Sequence, residues 1–143
     1  MIKYASPKKA EECAQEIIDF LIKHYMFDGV CIYVNGHRYL DYKTYGAELY
    51  KEYKDEDLGE TVRVWKENEC DPSRYFDYVN TKAHFISMSF EGTFNSVLNF
   101  NGWDKESMKH YQNLEEEFCE ILRKYGYYYE LGNSWNLSCY KIN

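Results

Sequence analysis

Cys31, His37 and Asp41 fall in one short stretch, GVCIYVNGHRYLDY. By residue type they could act as a nucleophilic thiolate, its base and the group that orients the base. That chemistry needs hydrogen-bond reach between the three, which spacing alone does not supply, and a cysteine on a hairpin face is more often a small hydrophobe. The remaining histidines add little. His24, His84 and His110 form no i, i+4 pair on a helix and no His-Glu-x-x-His. His84 falls on the apolar row of a strand-like run, where a core histidine fits. His24 and His110 fall on helices, toward solvent. There is no Gly-x-Ser-x-Gly elbow, no phosphate-cradling glycine loop and no dinucleotide fingerprint. Cys13, Cys31, Cys70, Cys119 and Cys139 are odd in number, widely spread and without a Cys-x-x-Cys pair. They indicate neither a disulfide framework nor a zinc site. The chain therefore reads as a non-enzymatic protein without cofactor or metal, the cysteine–histidine enzyme being an alternative.

A different chemistry is written in the tyrosines. Aromatic residues make up 19% of the 143 residues, and 16 of them are tyrosine. Tyrosine combines a large contact area with a polar tip, which suits wet-edged cores and binding surfaces alike. The formal charge is −7. An excess of carboxylates opposes phosphate binding and attraction to anionic membranes, and it permits a basic partner. It also serves plain solubility. Acidic groups at Asp55, Glu56, Asp57, Glu60, Glu67, Glu69, Asp71 and Glu115 to Glu117 raise a second alternative, a mimic of a phosphate array that occupies a nucleic-acid-binding protein. A dedicated mimic would carry more charge. No apolar run approaches the roughly 20 residues needed to span a bilayer, and the first fifteen residues lack the apolar centre of a signal peptide. A cytoplasmic protein is expected.

The elements that must position these side chains follow from periodicity. Ser6 and Pro7 open a helix whose apolar stripe is Ala10, Cys13, Ala14, Ile17, Ile18, Leu21, Ile22 and Tyr25. Gly29 interrupts it, and a hairpin follows around Asn35-Gly36. The last third repeats the plan. Asp104 opens a helix with the stripe Met108, Tyr111, Leu114, Phe118, Ile121, Leu122 and Tyr125, Gly126 ends it, and YYYELGNSWNLSCYKI reads as a second hairpin. Such a repeat is either an internal duplication or the period shared by any two amphipathic helices. Between the halves, AHFISMSFE and ETVRVWKE read as strands. YGAELYKEYKDEDLG favours helix by composition but keeps no single period. ENECDPSRYFDYVN and FNGWDKES read as loops. The expectation is one α+β domain over residues 1–143: an antiparallel sheet of five or six strands, two main helices on one face, and a helix–hairpin unit at each end.

Loop length decides which residues share a face. A two-residue Asn35-Gly36 turn groups Ile32 with Tyr39 and Asp41. A three-residue Val34-Asn35-Gly36 loop with a bulge groups Val30 and Ile32 with Leu40 and Tyr42, a cleaner separation. A three-residue Gly132-Asn133-Ser134 loop likewise groups Tyr127, Tyr129 and Leu131 with Trp135, Leu137 and Cys139. The opposite face then presents Tyr33, His37, Tyr39, Asp41, Tyr128, Glu130, Asn136 and Tyr140. Tyrosines among short polar groups resemble a recognition surface, unless residues 44–82 fold over it. The function expected is a small protein-binding domain, an inhibitor or adaptor using this face. Direct nucleic-acid binding is not expected, and an edge strand offers a route to a homodimer.

Overall fold

The computed structural model describes residues 6–57, 59–68 and 86–142. Its elements are α1 (Pro7–Lys23), β1 (Val30–Val34), β2 (His37–Leu40), β3 (Glu48–Asp55), β4 (Glu60–Glu67), β5 (Ser87–Phe90), α2 (Gly92–Leu98), α3 (Lys105–Lys124), β6 (Tyr127–Asn133) and β7 (Asn136–Lys141). The α+β class is as expected, with seven strands and a third, short helix among the described residues.

α1 forms because an apolar stripe recurs at helical spacing behind a capped start. The Ser6 hydroxyl accepts the Lys9 N–H at 3.2 Å, and Ala10, Cys13, Ala14, Ile17, Ile18 and Leu21 are all buried. Tyr25 departs from the stripe. It lies past the helix end with φ of 57° and is 57% exposed. The Tyr25 N–H bonds the Ile22 carbonyl and the Met26 N–H bonds that of Leu21, the paired bonds of a Schellman ending. α3 carries a reciprocal cap, with the Asp104 carboxylate accepting the Ser107 N–H at 2.7 Å and the Ser107 hydroxyl accepting the Asp104 N–H at 3.1 Å. It buries Leu114, Phe118 and Leu122 and ends before Gly126 at φ of 81°. α2 was not anticipated, although Phe94, Val97 and Leu98 have helical spacing and are buried.

The strands form one antiparallel sheet in the order β3-β4-β2-β1-β5-β7-β6. One face meets the helices. Val30, Ile32, Val34, Tyr39, Val64, Met88, Phe90, Tyr127, Leu137 and Cys139 join the side chains of α1, α2 and α3 in a single core. Across it Phe118 stands between Phe20, at 6.2 Å, and Phe94, at 5.2 Å between ring centroids.

Two expectations about the strands are corrected. In the first hairpin Val34 pairs with His37 and Ile32 with Tyr39, so the turn is the two-residue Asn35-Gly36 and not the three-residue loop. Both residues have positive φ, 49° and 79°. This is the type I′ turn whose twist matches the flanking strands, and it prevails over the tidier sorting of side chains. The segment 48–55 is a strand. Its register slips between Leu49 and Lys51, and that bulge is why its apolar residues keep no period. Residues 48–67 extend the sheet sideways and do not fold across it. Residues 69–82 lie outside the described residues, as do Ala83, His84 and Phe85 of the expected central strand, the Asp71-Pro72 turn, and Cys70.

In the second hairpin the strand residues keep their expected faces, but the loop differs and Trp135, expected on the apolar face, lies in the turn. Tyr129 pairs with Cys139 and Leu131 with Leu137, and a bulge before Asn133 leaves Ser134 and Trp135 as the turn. The Asn133 carboxamide oxygen accepts the Trp135 N–H at 2.9 Å, a local bond that selects this turn. The two helix–hairpin units are not equivalent in the sheet. α1 delivers the chain to the inner strand β1, whereas α3 delivers it to β6 at the edge.

The Asn35-Gly36 turn gives a direct check. No atom lies within 4 Å of a Cβ added at Gly36, so Gly36→Ala acts through backbone strain alone. A loss of about 1–2 kcal/mol is expected, read as a lower urea midpoint with an unchanged slope. An unchanged midpoint would show that the turn is of another type.

Candidate binding site

The corrected register divides the candidate surface between the two faces of the sheet. Tyr39 and His37 lie on the helix side. Tyr39 is buried, packs edge-on against Tyr50 at 5.3 Å, and has its hydroxyl pKa pushed up by burial and by the nearby Tyr50 and Glu11. The His37 Nε2 lies 3.7 Å from the Glu11 carboxylate. Asp41 accepts the Gly29 N–H at 3.0 Å and so ties the hairpin to the loop after α1. Tyr33, Tyr128, Glu130, Asn136 and Tyr140 point the other way. Cys31 also points away from the helices, paired beside Ser89, so the sheet separates its sulfur from His37. The cysteine–base–orienter set is not assembled.

The middle of the outer face is buried. Tyr33, Leu40, Ser87, Asn136 and Ser138 are each at most 3% exposed. The Ser87 and Ser138 hydroxyls bond each other at 3.0 Å across β5 and β7. Arg38 on β2 meets Glu67 on β4 through one hydrogen bond from its Nη2 and one ion-pair contact from its Nε, each of 2.7 Å, and Thr44 donates to the same carboxylate. Burial pushes the Glu67 pKa up, but the bonds from Arg38 and Thr44 outweigh it and hold the carboxyl below its ordinary range. Glu67 is thus a paired structural group and is withdrawn from any acidic array. Asp55, Glu56, Asp57 and Glu60 lie on β3, β4 and their turn, at the opposite edge from the β6 strand that α3 packs on. Five strand spacings of about 4.8 Å separate β4 from β6, so these groups and Glu115 to Glu117 form no continuous row. Glu69 and Asp71 lie outside the described residues.

What remains open is the corner made by β6 and β7. Tyr128 is 43% exposed and pairs across the strands with the half-buried Tyr140, their rings 5.8 Å apart. Glu130 is exposed beside them and Leu131 is 42% exposed. Along the edge of β6 a groove of about 410 Å³ runs against α3, lined by Glu115, Cys119, Leu122, Arg123, Tyr127, Tyr128, Tyr129 and Ile142. Glu115 organises it, accepting the Tyr129 hydroxyl at 2.9 Å and the Cys119 thiol at 3.0 Å through one oxygen. Among the described residues no group of three or more His, Cys, Asp and Glu is placed to hold a metal ion, and no helix is long and apolar enough to cross a membrane.

Sequence reasoning placed Tyr128, Glu130 and Tyr140 correctly on one face. It missed the groove, because Cys119 and Glu115 looked like ordinary positions on a helix flank. The signal was the i, i+4 spacing of Glu115 and Cys119, read with Gly126, which turns the chain from α3 into β6. Set against family models, curated proteins and solved structures, the chain matches none.

Burial, with the Glu115 carboxylate as the next cause, pushes the Cys119 thiol up to about 12 from its ordinary 9.0. At neutral pH the thiolate fraction is therefore lowered about a thousandfold. Iodoacetamide should alkylate Cys119 far more slowly in the folded protein than in urea. Glu115→Gln should speed the folded-state reaction several-fold by removing the negative charge, leaving burial in place. Equal rates in folded and unfolded protein, measured by peptide mass spectrometry, would contradict this environment.

Proposed function

We propose that this chain is a small binding domain, an inhibitor or adaptor, that recognises a protein partner through the β6–β7 corner of its sheet. The observation that carries the reading is the pairing of exposed aromatic and aliphatic surface with a single carboxylate. On the outer face Tyr128 pairs with Tyr140 beside Glu130, and Leu131 is exposed on the other face of the same edge strand. Aromatic side chains at the centre of a patch with a polar margin are how protein interfaces concentrate their energy. Tyrosine suits the role because it loses little rotamer freedom when it is covered. The rest of the originally expected surface supports the scaffold. Tyr33 and Asn136 are buried in the sheet, and His37, Tyr39 and Asp41 belong to the helix side and its rim.

The test is a comparison of baits. Wild-type protein, a Tyr128→Ser/Glu130→Lys variant and a control Lys54→Ala variant on the far edge are used for affinity purification from the native cell with quantitative mass spectrometry. A partner retained by wild type and control but lost from the corner variant is expected. Calorimetry with that purified partner should show at least a tenfold weaker affinity for the corner variant. If every captured protein binds all three baits equally, the corner is not the interface.

A further inference from the structure

The backbone of β6 carries information beyond its side chains. The Ile142 N–H bonds the Gly126 carbonyl. In an antiparallel ladder bonded and non-bonded pairs alternate, so Tyr128 and Glu130 bond inward to Tyr140 and Ser138. The β5 side agrees, because Cys139 donates from its N–H to the Ile86 carbonyl and so points away from β6. Tyr129 and Leu131 consequently turn their N–H and C=O groups toward the outer edge, where no strand among the described residues pairs with them.

Exposed edges are usually blunted by lysine, proline or a mid-strand bulge. The opposite edge is. β3 carries Lys51 and Lys54 among Glu48 and Glu52. β6, YYYELGN, has neither lysine nor proline and a single charge. The contrast lies within one sheet, so solubility as such does not explain it.

The flanks of β6 describe what would lie beside it. Toward the helices is the groove with Cys119, Leu122, Tyr127 and Tyr129, which takes an apolar side chain. Toward the outer face are Tyr128 and Glu130. The margin is acidic. Glu115, Glu116, Glu120 and Glu130 stand against Lys141, across from Tyr127, and Arg123, which is itself bonded to Glu116 at 2.7 Å. A second copy of this chain would bring the same carboxylates against one another, which opposes self-pairing.

We infer that β6 accepts an extended segment of the partner as an added strand, one that alternates apolar residues toward the α3 groove with Lys or Arg toward Glu130 and Tyr128. This deepens the reading of the β6–β7 corner as the partner surface and rests on it. Strand addition supplies affinity through main-chain bonds and specificity through alternate side-chain pockets. Here the main-chain bonds are those of Tyr129 and Leu131, and the pockets are the α3 groove and the Tyr128–Glu130 face.

The test uses a displayed library of short random linear peptides selected against the whole protein. The selected peptide then serves as the probe in calorimetry and in ¹⁵N NMR. Enrichment of Lys or Arg at one parity and Leu, Ile, Val or Met at the other is expected, with shifts centred on the amides of Tyr129 and Leu131. Methylating the peptide's backbone nitrogens at alternate residues should abolish binding at one parity and spare it at the other. Glu130→Lys should weaken binding at least tenfold, and so should Leu131→Pro, which removes an outward N–H; both variants are first confirmed as folded by their NMR spectra. Failure to enrich such peptides, shifts that map to another surface, or indifference to N-methylation would overturn the inference. A dimer detected by light scattering and broken by Leu131→Pro would overturn it in favour of self-pairing. If the cellular partner depends on Tyr128 and Glu130 while the peptides fail, only the strand-addition mode falls. If peptides bind the edge while no partner depends on the corner, the functional reading falls instead.

Discussion

The two-residue turn at Asn35-Gly36 sets the parity of the whole sheet. Its positive φ values hold Val34 opposite His37, and β1 hands the register on through β5 to β7 and β6. Val30, Ile32 and Val34 on one side, and Met88, Phe90, Leu137 and Tyr127 on the other, then meet the three helices in one layer. A slip of one residue in β1 against β5 would turn Cys31 and Tyr33 toward the helices and their apolar neighbours away. The turn costs little locally because asparagine and glycine tolerate left-handed conformations, and it commits side chains several strands away.

That register places polar groups in awkward positions, and a nearby group relieves most of them, though the His37 Nδ1 is buried without a hydrogen-bond partner among the described residues. His37 comes to the helix side but sits at the rim, within reach of Glu11. Tyr39 enters the core against Tyr50. Arg38 goes to the outer face, where Glu67 meets it by a hydrogen bond and an ion-pair contact and also accepts the Thr44 hydroxyl. A half-buried pair of this kind adds little net stability over an apolar pair, but it penalises any register that separates it. It therefore pins β2 against β4 in the same sense that the turn pins β1 against β2. Glu16 plays the corresponding part between helices, joining Lys124 at 2.6 Å and Tyr125 at 2.8 Å across α1 and α3.

Much of this fold was legible in the sequence, and the reasons for the misses are specific. The α1 and α3 stripes, their caps, both hairpins and β4 follow from periodicity and turn residues, because in those segments local preference and burial agree. Tyr25 was misplaced because a tyrosine at helical spacing looks like a core residue. Only the left-handed ending, taken elsewhere by Gly126, reveals it as a terminator. β3 was ambiguous because a bulge erases the period of two on which strand recognition depends. In the first hairpin the sorting of side chains and the turn chemistry favour different registers; turn chemistry prevails, and His37, Tyr39 and Asp41 are thereby separated from Tyr128 and Glu130. Tyr128, Glu130 and Tyr140 were grouped correctly because the second hairpin slips by two residues, and a slip of two preserves faces.

The location of the open edge follows from the connection that makes it. α3 ends at Lys124, Gly126 reverses the chain, and β6 begins at once beneath the helix it has just left. So short a connection holds the acidic flank of α3 against the outermost strand, and α3 packs directly on β6. The groove between them is a consequence of chain continuity. α1 has no such effect, because Met26 to Gly29 carry the chain to β1 in the interior, where both neighbours are already strands. A helix that hands its chain to an inner strand can only cover a sheet. One that hands it to an edge strand builds a wall beside unpaired backbone, and in this chain that wall carries Glu115 and Cys119 on one side and Glu116 and Glu120 on its outer flank.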